Sequence, residues 1–310
     1  MANTHEIQSR MKSIQDTMKI TNAMYMISST KLRRARSRLE STEPYFYTLQ
    51  SMIARILRLL PEVENMFFCE HTKKPPEDRI KGLIVITADK GLAGAYNHNV
   101  LEIAQEMYDH NKSCKLFVVG EVGRRYFRSK GIPIAERFHY TVQNPTLHRA
   151  RVISEAVMEQ FKDRKLDEVH IVYTSMKNSM VLELEQIRLL PFKRKTFEMD
   201  AKEVEKIRQE ELLFDPSPNA VLNNILPDCV MGYIYGALVE AFCSEQNARM
   251  MAMDAANKSA SEMIHDLSIE YNRVRQAMIT QEITEVIAGA KAQKKKKAMK
   301  MAQRDEKGGH

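Results

Sequence analysis

Residues 7–39 read IQSRMKSIQDTMKITNAMYMISSTKLRRARSRL. Within them Ile7, Met11, Ile14, Met18, Thr21, Tyr25, Ser28, Leu32, Ala35 and Leu39 recur at alternating intervals of four and three. That spacing is the heptad seam by which one helix lies along another. The seam is not uniformly apolar, because Thr21 and Ser28 sit in its middle, so it grips a partner helix less firmly than a leucine seam would. Neither Gly nor Pro occurs in residues 1–43.

The matching stripe is at the other end of the chain. Residues 237–288 also lack Gly and Pro, and they carry Met253, Ala260, Ile264, Leu267, Tyr271, Val274 and Met278. After Met278 the register shifts to Ile279, Ile283, Val286 and Ala290, a change that locally alters a supercoil. At 1.5 Å per residue, the 52 residues from Ala237 to Ala288 span roughly 78 Å. That exceeds the width of a small domain, so the pattern predicts a paired helical rod; the plainer alternative is a helical bundle core.

Composition narrows the function classes. The 310 residues allow one or two domains with a sizeable core. No uncharged apolar run approaches 18 residues, so no transmembrane helix is expected. The N-terminus has no apolar signal core, and Glu6 and Asp16 argue against a transit peptide. Cys69, Cys114, Cys229 and Cys243 form no CxxC pair and read as reduced thiols. Residues 1–38 and 291–310 each carry eight Lys or Arg against two acids, whereas the whole chain is only +7. Basic character therefore belongs to the first helix and the tail, where it suits an acidic protein surface, an anionic lipid or a nucleic acid, or is simply solvated.

Between the ends lies an α/β pattern. Pro44 is expected to kink or end the first helix, with a helical pattern resuming over 45–60. Residues 61–79, containing Pro75 and Pro76, read as a linker. Short apolar runs at 82–87, 115–120, 132–135, 168–174 and 182–190 alternate with helical patterns at 97–111, 121–129 and 146–164. This predicts a five-stranded, mainly parallel, Rossmann-like sheet over 80–197. A return segment over 198–227 then leads to the C-terminal helix over 228–290 and a basic tail over 291–310, expected to be disordered.

No catalytic constellation emerges. Asp89-Lys-Gly-Leu-Ala-Gly94 follows the first strand, where glycines sometimes cradle phosphate. It matches neither G-x-G-x-x-G nor a P-loop, and reads better as a tight turn. His71, His98, His110, His139, His148 and His170 lack metal-ligand spacing. No G-x-S-x-G or Cys/His arrangement marks a nucleophile. Glu183 and Glu185 alternate on a strand as a solvent face would. No catalytic residue, metal or cofactor is expected.

Several long motifs, in order, resemble one family. Ile7-Gln-Ser-Arg-Met-Lys-Ser-Ile, Lys19-Ile-Thr-Asn-Ala-Met24-Tyr-Met and Lys31-Leu-Arg-Arg-Ala35 resemble the N-terminal helix of the γ subunit of F-type ATP synthases. Ile86-Thr-Ala-Asp-Lys-Gly-Leu-Ala-Gly94 resembles that family's first strand and turn. Ser244-Glu-Gln-Asn-Ala-Arg-Met-Met-Ala-Met-Asp-Ala-Ala256, Tyr271-Asn-Arg-Val-Arg-Gln-Ala277 and Ile279-Thr-Gln-Glu-Ile-Thr-Glu-Val-Ile-Ala-Gly-Ala290 resemble its C-terminal helix. The resemblance covers about residues 1–290.

The resemblance implies a non-catalytic rotor stalk: an antiparallel coiled coil inside the α3β3 ring, with the α/β domain against the ε subunit and the membrane c-ring. It implies torque transmission between ion flow and the catalytic β sites, without membrane insertion or nucleic-acid binding; the lack of a targeting segment favours the cytoplasmic face of a bacterial plasma membrane. By the same resemblance Met24 lies near the coupling contact, and Arg275 and Gln276 meet a β-subunit loop, with Thr280 and Glu282 in that region. Lys31, Arg33 and Arg34, with Arg36 and Arg38, are then expected to face acidic loops of β. Three features depart from the family. Ala93 stands where Cys is common, Lys258-Ser259 replaces an Asp-Asn or Asn-Ala type pair, and about twenty residues follow Ala290. The redox-regulatory cysteine insert of the chloroplast form is absent. The competing classes are a basic coiled-coil scaffold or nucleic-acid binder, weakened by the lack of aromatics in the basic runs, and a nucleotide-dependent α/β enzyme, weakened by the missing phosphate fingerprint.

Overall fold

The computed structural model describes residues 4–68, 74–75, 78–138, 142–178, 181–197 and 214–307, with Arg137 and 297–307 as backbone only. Cys69, His71, Pro76, His139 and most of the expected return segment lie outside the described residues. Contacts divide the chain into two compact units, one of residues 1–23 with 254–310, the other of residues 24–253.

In the larger unit five strands form one sheet: β1 (Lys81–Ile86), β2 (Lys115–Val119), β3 (Ile134–Arg137), β4 (Glu168–Met176) and β5 (Leu182–Leu190). Their spatial order is β3-β2-β1-β4-β5. All neighbours are parallel except β5, which runs antiparallel to β4. β1 is buried on both faces, as its unbroken apolar run requires. Leu83 and Val85 pack with Val100, Leu101 and Ala104 of α2 (Tyr96–His110) and Phe127 of α3 (Glu121–Ser129). Ile84 and Ile86 face the opposite way and join Ile153, Val157 and Phe161 of α4 (Leu147–Lys162). That second cluster also takes Ile53 and Leu57 of α1 (Thr4–Leu59) and Leu226, Val230 and Ile234 of α5 (Pro218–Lys307). Each fully buried side chain of this size contributes about 1.5–3 kcal/mol.

The end of β2 needs a glycine. Gly120 sits at φ 101°, and a Cβ there would enter the carbonyl of Thr87. The closeness serves Thr87, whose Oγ1 donates to Val119 O (3.0 Å) and accepts from Gly123 N (3.0 Å). One threonine thereby seals the end of the β1–β2 ladder to the first turn of α3.

The helices depart from their expected bounds. Of the two outcomes expected at Pro44, a kink or an end, the helix does not end there: it runs from Thr4 to Leu59. The loss of one backbone bond, about 3 kcal/mol, is offset by the core contacts of Leu49, Ile53, Ile56 and Leu57 on the far side of the proline. The C-terminal helix begins ten residues earlier than position 228, at Pro218. Ser217 caps it, accepting from Ala220 N at 3.2 Å, and proline suits the first helical position. Pro227 lies inside this helix, as Leu222, Leu226 and Val230 around it are fully buried. The described backbone of 291–307 continues as helix. One window of α5 is also apolar enough to cross a membrane by composition, but it is 67% buried, which is the mark of a core helix.

In the smaller unit α1 and α5 form an antiparallel pair. Thr4 Oγ1 approaches Met278 Sδ at 3.7 Å, and Thr21 Oγ1 bonds Asn257 Oδ1. Ile7 is buried, and Met11, Ile14, Met18 and Thr21 are half-buried between exposed neighbours, as the seam requires. Opposite, Ala260 is buried and Ile264, Leu267, Tyr271 and Val274 are half-buried.

Candidate functional site

The site residues expected from sequence fall in two places, one in each unit. Met24, Lys31, Arg33 and Arg34 lie on α1 within the larger unit. Met24 and Lys31 are half-buried; Arg33 and Arg34 are exposed. Helical spacing puts Lys31, Arg34 and Arg38 on one face, and they line a cleft of about 190 Å³. Its floor is apolar, from Ala35, Tyr235, Val239 and Phe242, and its far wall is Gln143, Asn144 and Pro145. Arg38 Nη1 donates to Asn144 Oδ1, which fixes that arginine on the wall. Arg33 is not part of the cleft lining. A basic mouth over an apolar floor suits a segment that presents carboxylates around an apolar side chain.

Arg275, Gln276, Thr280 and Glu282 lie on α5 in the smaller unit, all exposed. Thr280 Oγ1 donates to Gln276 O (2.8 Å), and Thr284 Oγ1 to Thr280 O (2.7 Å). Both bonds end on main-chain carbonyls of the helix, and the Arg275 and Gln276 side chains are exposed. From Arg275 to Lys296 every described residue is exposed, because α1 ends beside Met278. Ile279, Ile283, Val286 and Ile287, spaced four, three and one, form a bare apolar stripe that is 46–71% exposed. Ile279, Ile283 and Val286 belong to the register-shifted stripe of the sequence, whose last member Ala290 is also exposed, and within the described chain nothing covers it. Contiguous exposed apolar surface on a helix rimmed by polar residues marks a contact with another molecule.

The turn Asp89–Gly94 is held by protein on one side, while Lys90, Gly91, Leu92 and Gly94 are exposed. Arg249 Nη2 donates to Gly91 O (3.1 Å), to Lys90 O (3.4 Å) and to Glu245 Oε1 (2.6 Å). The Glu245 and Arg249 side chains are only 3% and 11% exposed. Tyr96 OH donates to Ala241 O at 3.0 Å, and Ala88, Ala93, Tyr96 and Ala248 pack together beneath. Asp89 accepts from Glu121 N (3.2 Å) and Val142 N (2.6 Å). A guanidinium thus stands against the turn where a phosphate-binding loop would present its amides. Burial pushes the Glu245 carboxyl up while Arg249 opposes the rise, and burial with the Glu245 charge pushes Tyr96 well up. Glu245 and Arg249 are absent from the site residues expected from sequence; their i,i+4 spacing is the one signal that points to them. Among the described residues no group of three or more His, Cys, Asp or Glu is placed to hold a metal ion.

A family model described as ATP synthase matches residues 3–293. The chain is 44% identical over 291 residues to the ATP synthase gamma chain of Ruminiclostridium cellulolyticum, covering 94% of this chain and 98% of that one. It is 41% identical to the gamma chain of Acetivibrio thermocellus (95% and 100% covered). It is 36% identical to the sodium-ion-specific gamma chain of Acetobacterium woodii (94% and 98%). Among solved structures, the central stalk and c-ring of Tetrahymena thermophila mitochondrial ATP synthase matches with TM-score 0.57 at 23% identity, covering 76% of this chain and 99% of that one. A chain of the Euglena gracilis mitochondrial ATP synthase, in its OSCP/F1/c-ring assembly, matches with TM-score 0.59 at 14% identity, covering 93% and 94%.

Proposed function

The chain belongs to the ATP synthase γ-chain family, and from that membership we propose that it is the enzyme's non-catalytic central stalk. In this reading ion flow turns the c-ring, the c-ring turns this chain, and the two long helices drive the catalytic β sites of the α3β3 ring through their binding states. The observation that carries it is the length of α5 beyond its partner: the apolar stripe Ile279–Ile287, with Arg275, Gln276, Thr280 and Glu282 beside it, is bare in the chain alone.

A shaft must bear on its surroundings without locking at one angle. Coulombic attraction tolerates changes of geometry, so Lys31, Arg33 and Arg34 suit a moving contact with acidic loops of β. Met24 and the Arg275–Glu282 face are the remaining coupling contacts. The sheet domain sits against ε and the c-ring, on the cytoplasmic face of a bacterial plasma membrane, without inserting into it. The helical tail lengthens the shaft by about 25 Å over 291–307, and it steadies or brakes rotation at the top of the ring.

The test is reconstitution. The chain is mixed with α and β subunits of the same source, and the ATPase rate of any complex is compared with that of α and β alone. One copy per three αβ pairs with strongly raised turnover supports the stalk. Failure to associate with folded α and β refutes it and favours the basic-scaffold reading. Removing 291–310 from the working complex then tests the tail: unchanged turnover, inhibition and assembly would dismiss its proposed role.

A further inference from the structure

We propose that Arg249, held by Glu245, is a positioning residue that keys the long helix to the turn after β1, so that torque passes between helix and sheet without slip; the proposal rests on the stalk reading above. Ala241, Glu245 and Arg249 lie one turn apart on a single face of α5. Two of that face's contacts reach the C-terminal end of the sheet: Tyr96 OH to Ala241 O, and Arg249 Nη2 to the Lys90 and Gly91 carbonyls. The turn they grip is itself fastened. Asp89 ties it to the start of α3 and to Val142, and Ala88 N donates to Asn97 Oδ1 of α2 at 2.9 Å.

Two kinds of force join α5 to the sheet, and they resist different motions. Apolar burial opposes separation but has no direction, so it yields to sliding and to rotation of a helix about its axis. Hydrogen bonds lose their strength over a few tenths of an ångström and a few tens of degrees, so they oppose both motions. Charge-assisted bonds in a dry setting are the strongest of this kind. The location fits. The turn leaves the strand at the centre of the sheet, hydrogen-bonded on both sides, so load entering there spreads to β2 and β4.

Stability alone does not account for the pair. A buried ion pair is often no better than apolar residues of the same size. Here Glu245 Oε2 and the neighbouring Ser244 Oγ have no hydrogen-bond partner among the described residues, which adds a cost. A purely structural solution would put leucine or methionine at both positions. What the pair adds is a fixed angular and axial register between helix and turn.

The experiment uses the assembled enzyme in sealed vesicles, with the wild-type chain, Arg249→Lys and the double variant Glu245→Gln/Arg249→Met, which leaves no buried charge unpaired. ATP hydrolysis and ATP-driven ion uptake are measured together. The expected result is hydrolysis within about twofold of wild type and ions moved per ATP reduced about tenfold in the double variant, which loses the charged hydrogen bonds of Arg249, with Arg249→Lys between. An unchanged ratio of uptake to hydrolysis in the double variant overturns the key. A wild-type complex that neither assembles nor pumps refutes the stalk reading itself, a separate outcome. Amide exchange of the full chain is a second measurement that does not need assembly. Exchange over 88–94 should quicken in the double variant while β1, β2 and β4 keep their protection. Unchanged exchange over 88–94, or a uniform loss across the sheet, overturns the proposal.

Discussion

Substituting alanine for Gly120 should cost about 4 kcal/mol, and the same change at Gly131 about 1–2. The difference follows from what each new methyl group meets. Gly131 has φ 70° and nothing within 4 Å of a Cβ, so only the left-handed backbone is penalised, by about 1–2 kcal/mol. Gly120 has φ 101° and ψ 144°, a region that side chains scarcely enter, at about 1–3 kcal/mol. In addition its Cβ would stand 2.6 Å from Thr87 Oγ1 and 2.7 Å from Thr87 C, closer still to the carbonyl oxygen. Backbone at the centre of a sheet cannot retreat, so overpacking adds about 1–3 kcal/mol. Relief would require moving Thr87 and breaking its bonds to Val119 O and Gly123 N. Gly91, at an ordinary φ with open space around it, is the control and should change stability by no more than about 0.5 kcal/mol. Urea unfolding of the full chain, followed by circular dichroism, gives the three values from midpoints at constant slope. If Gly120→Ala lies within about 1 kcal/mol of Gly131→Ala, the close approach of Gly120 to Thr87 is not a structural requirement and the reasoning fails.

The Glu168–His170 pair sets an acid dependence. Burial raises the Glu168 carboxyl, but hydrogen bonds from His170 (2.9 Å) and Arg79 (2.7 Å) outweigh it and hold it below its ordinary 4.5. Burial holds His170 below its ordinary 6.5 against the pull of Glu168. In both cases the unfolded state binds more protons, so stability is present at neutral pH, begins to fall below about pH 6.5 and falls again below about 4.5. His170→Gln should abolish the first step and keep the second, read as urea midpoint against pH. Burial lifts the Cys114 and Cys229 thiols to about 12 and Cys243 to about 11, so these three should resist a thiol reagent at pH 8 until the chain is unfolded. Alanine at Arg275 or Gln276, both exposed, should leave stability within about 0.5 kcal/mol yet alter turnover of the reconstituted complex; unchanged turnover in both would remove them from the coupling surface.

Much of the molecule is legible in order along the chain. All ten residues of the Ile7–Leu39 seam are buried or half-buried, since a side chain's place on a helix follows from its spacing alone. The apolar runs match β5 at its true bounds and the other strands within about two residues, because such runs bounded by turns carry their own signal. Arg275, Gln276, Thr280 and Glu282 are named from the family resemblance; all four are exposed and lie off the apolar stripe that α1 covers. The early start of α5 carries a signal too, Ser217 before Pro218, which Pro227 further on obscures.

What the sequence by itself determined is local periodicity: which segments are helices or strands, and which face of each is apolar. Only the tertiary structure decided three things that depend on distant partners. The order β3-β2-β1-β4-β5 places the first strand at the centre, and pairing order has no signature within any one strand. Pro44 and Pro227 are absorbed into continuous helices, because core packing on both sides of each proline exceeds the local cost of a missing backbone bond. And Arg249, 158 residues beyond Gly91 in sequence, meets the glycine turn only once α5 lies against the end of the sheet, which turns a loop with a phosphate-binding look into a point of attachment.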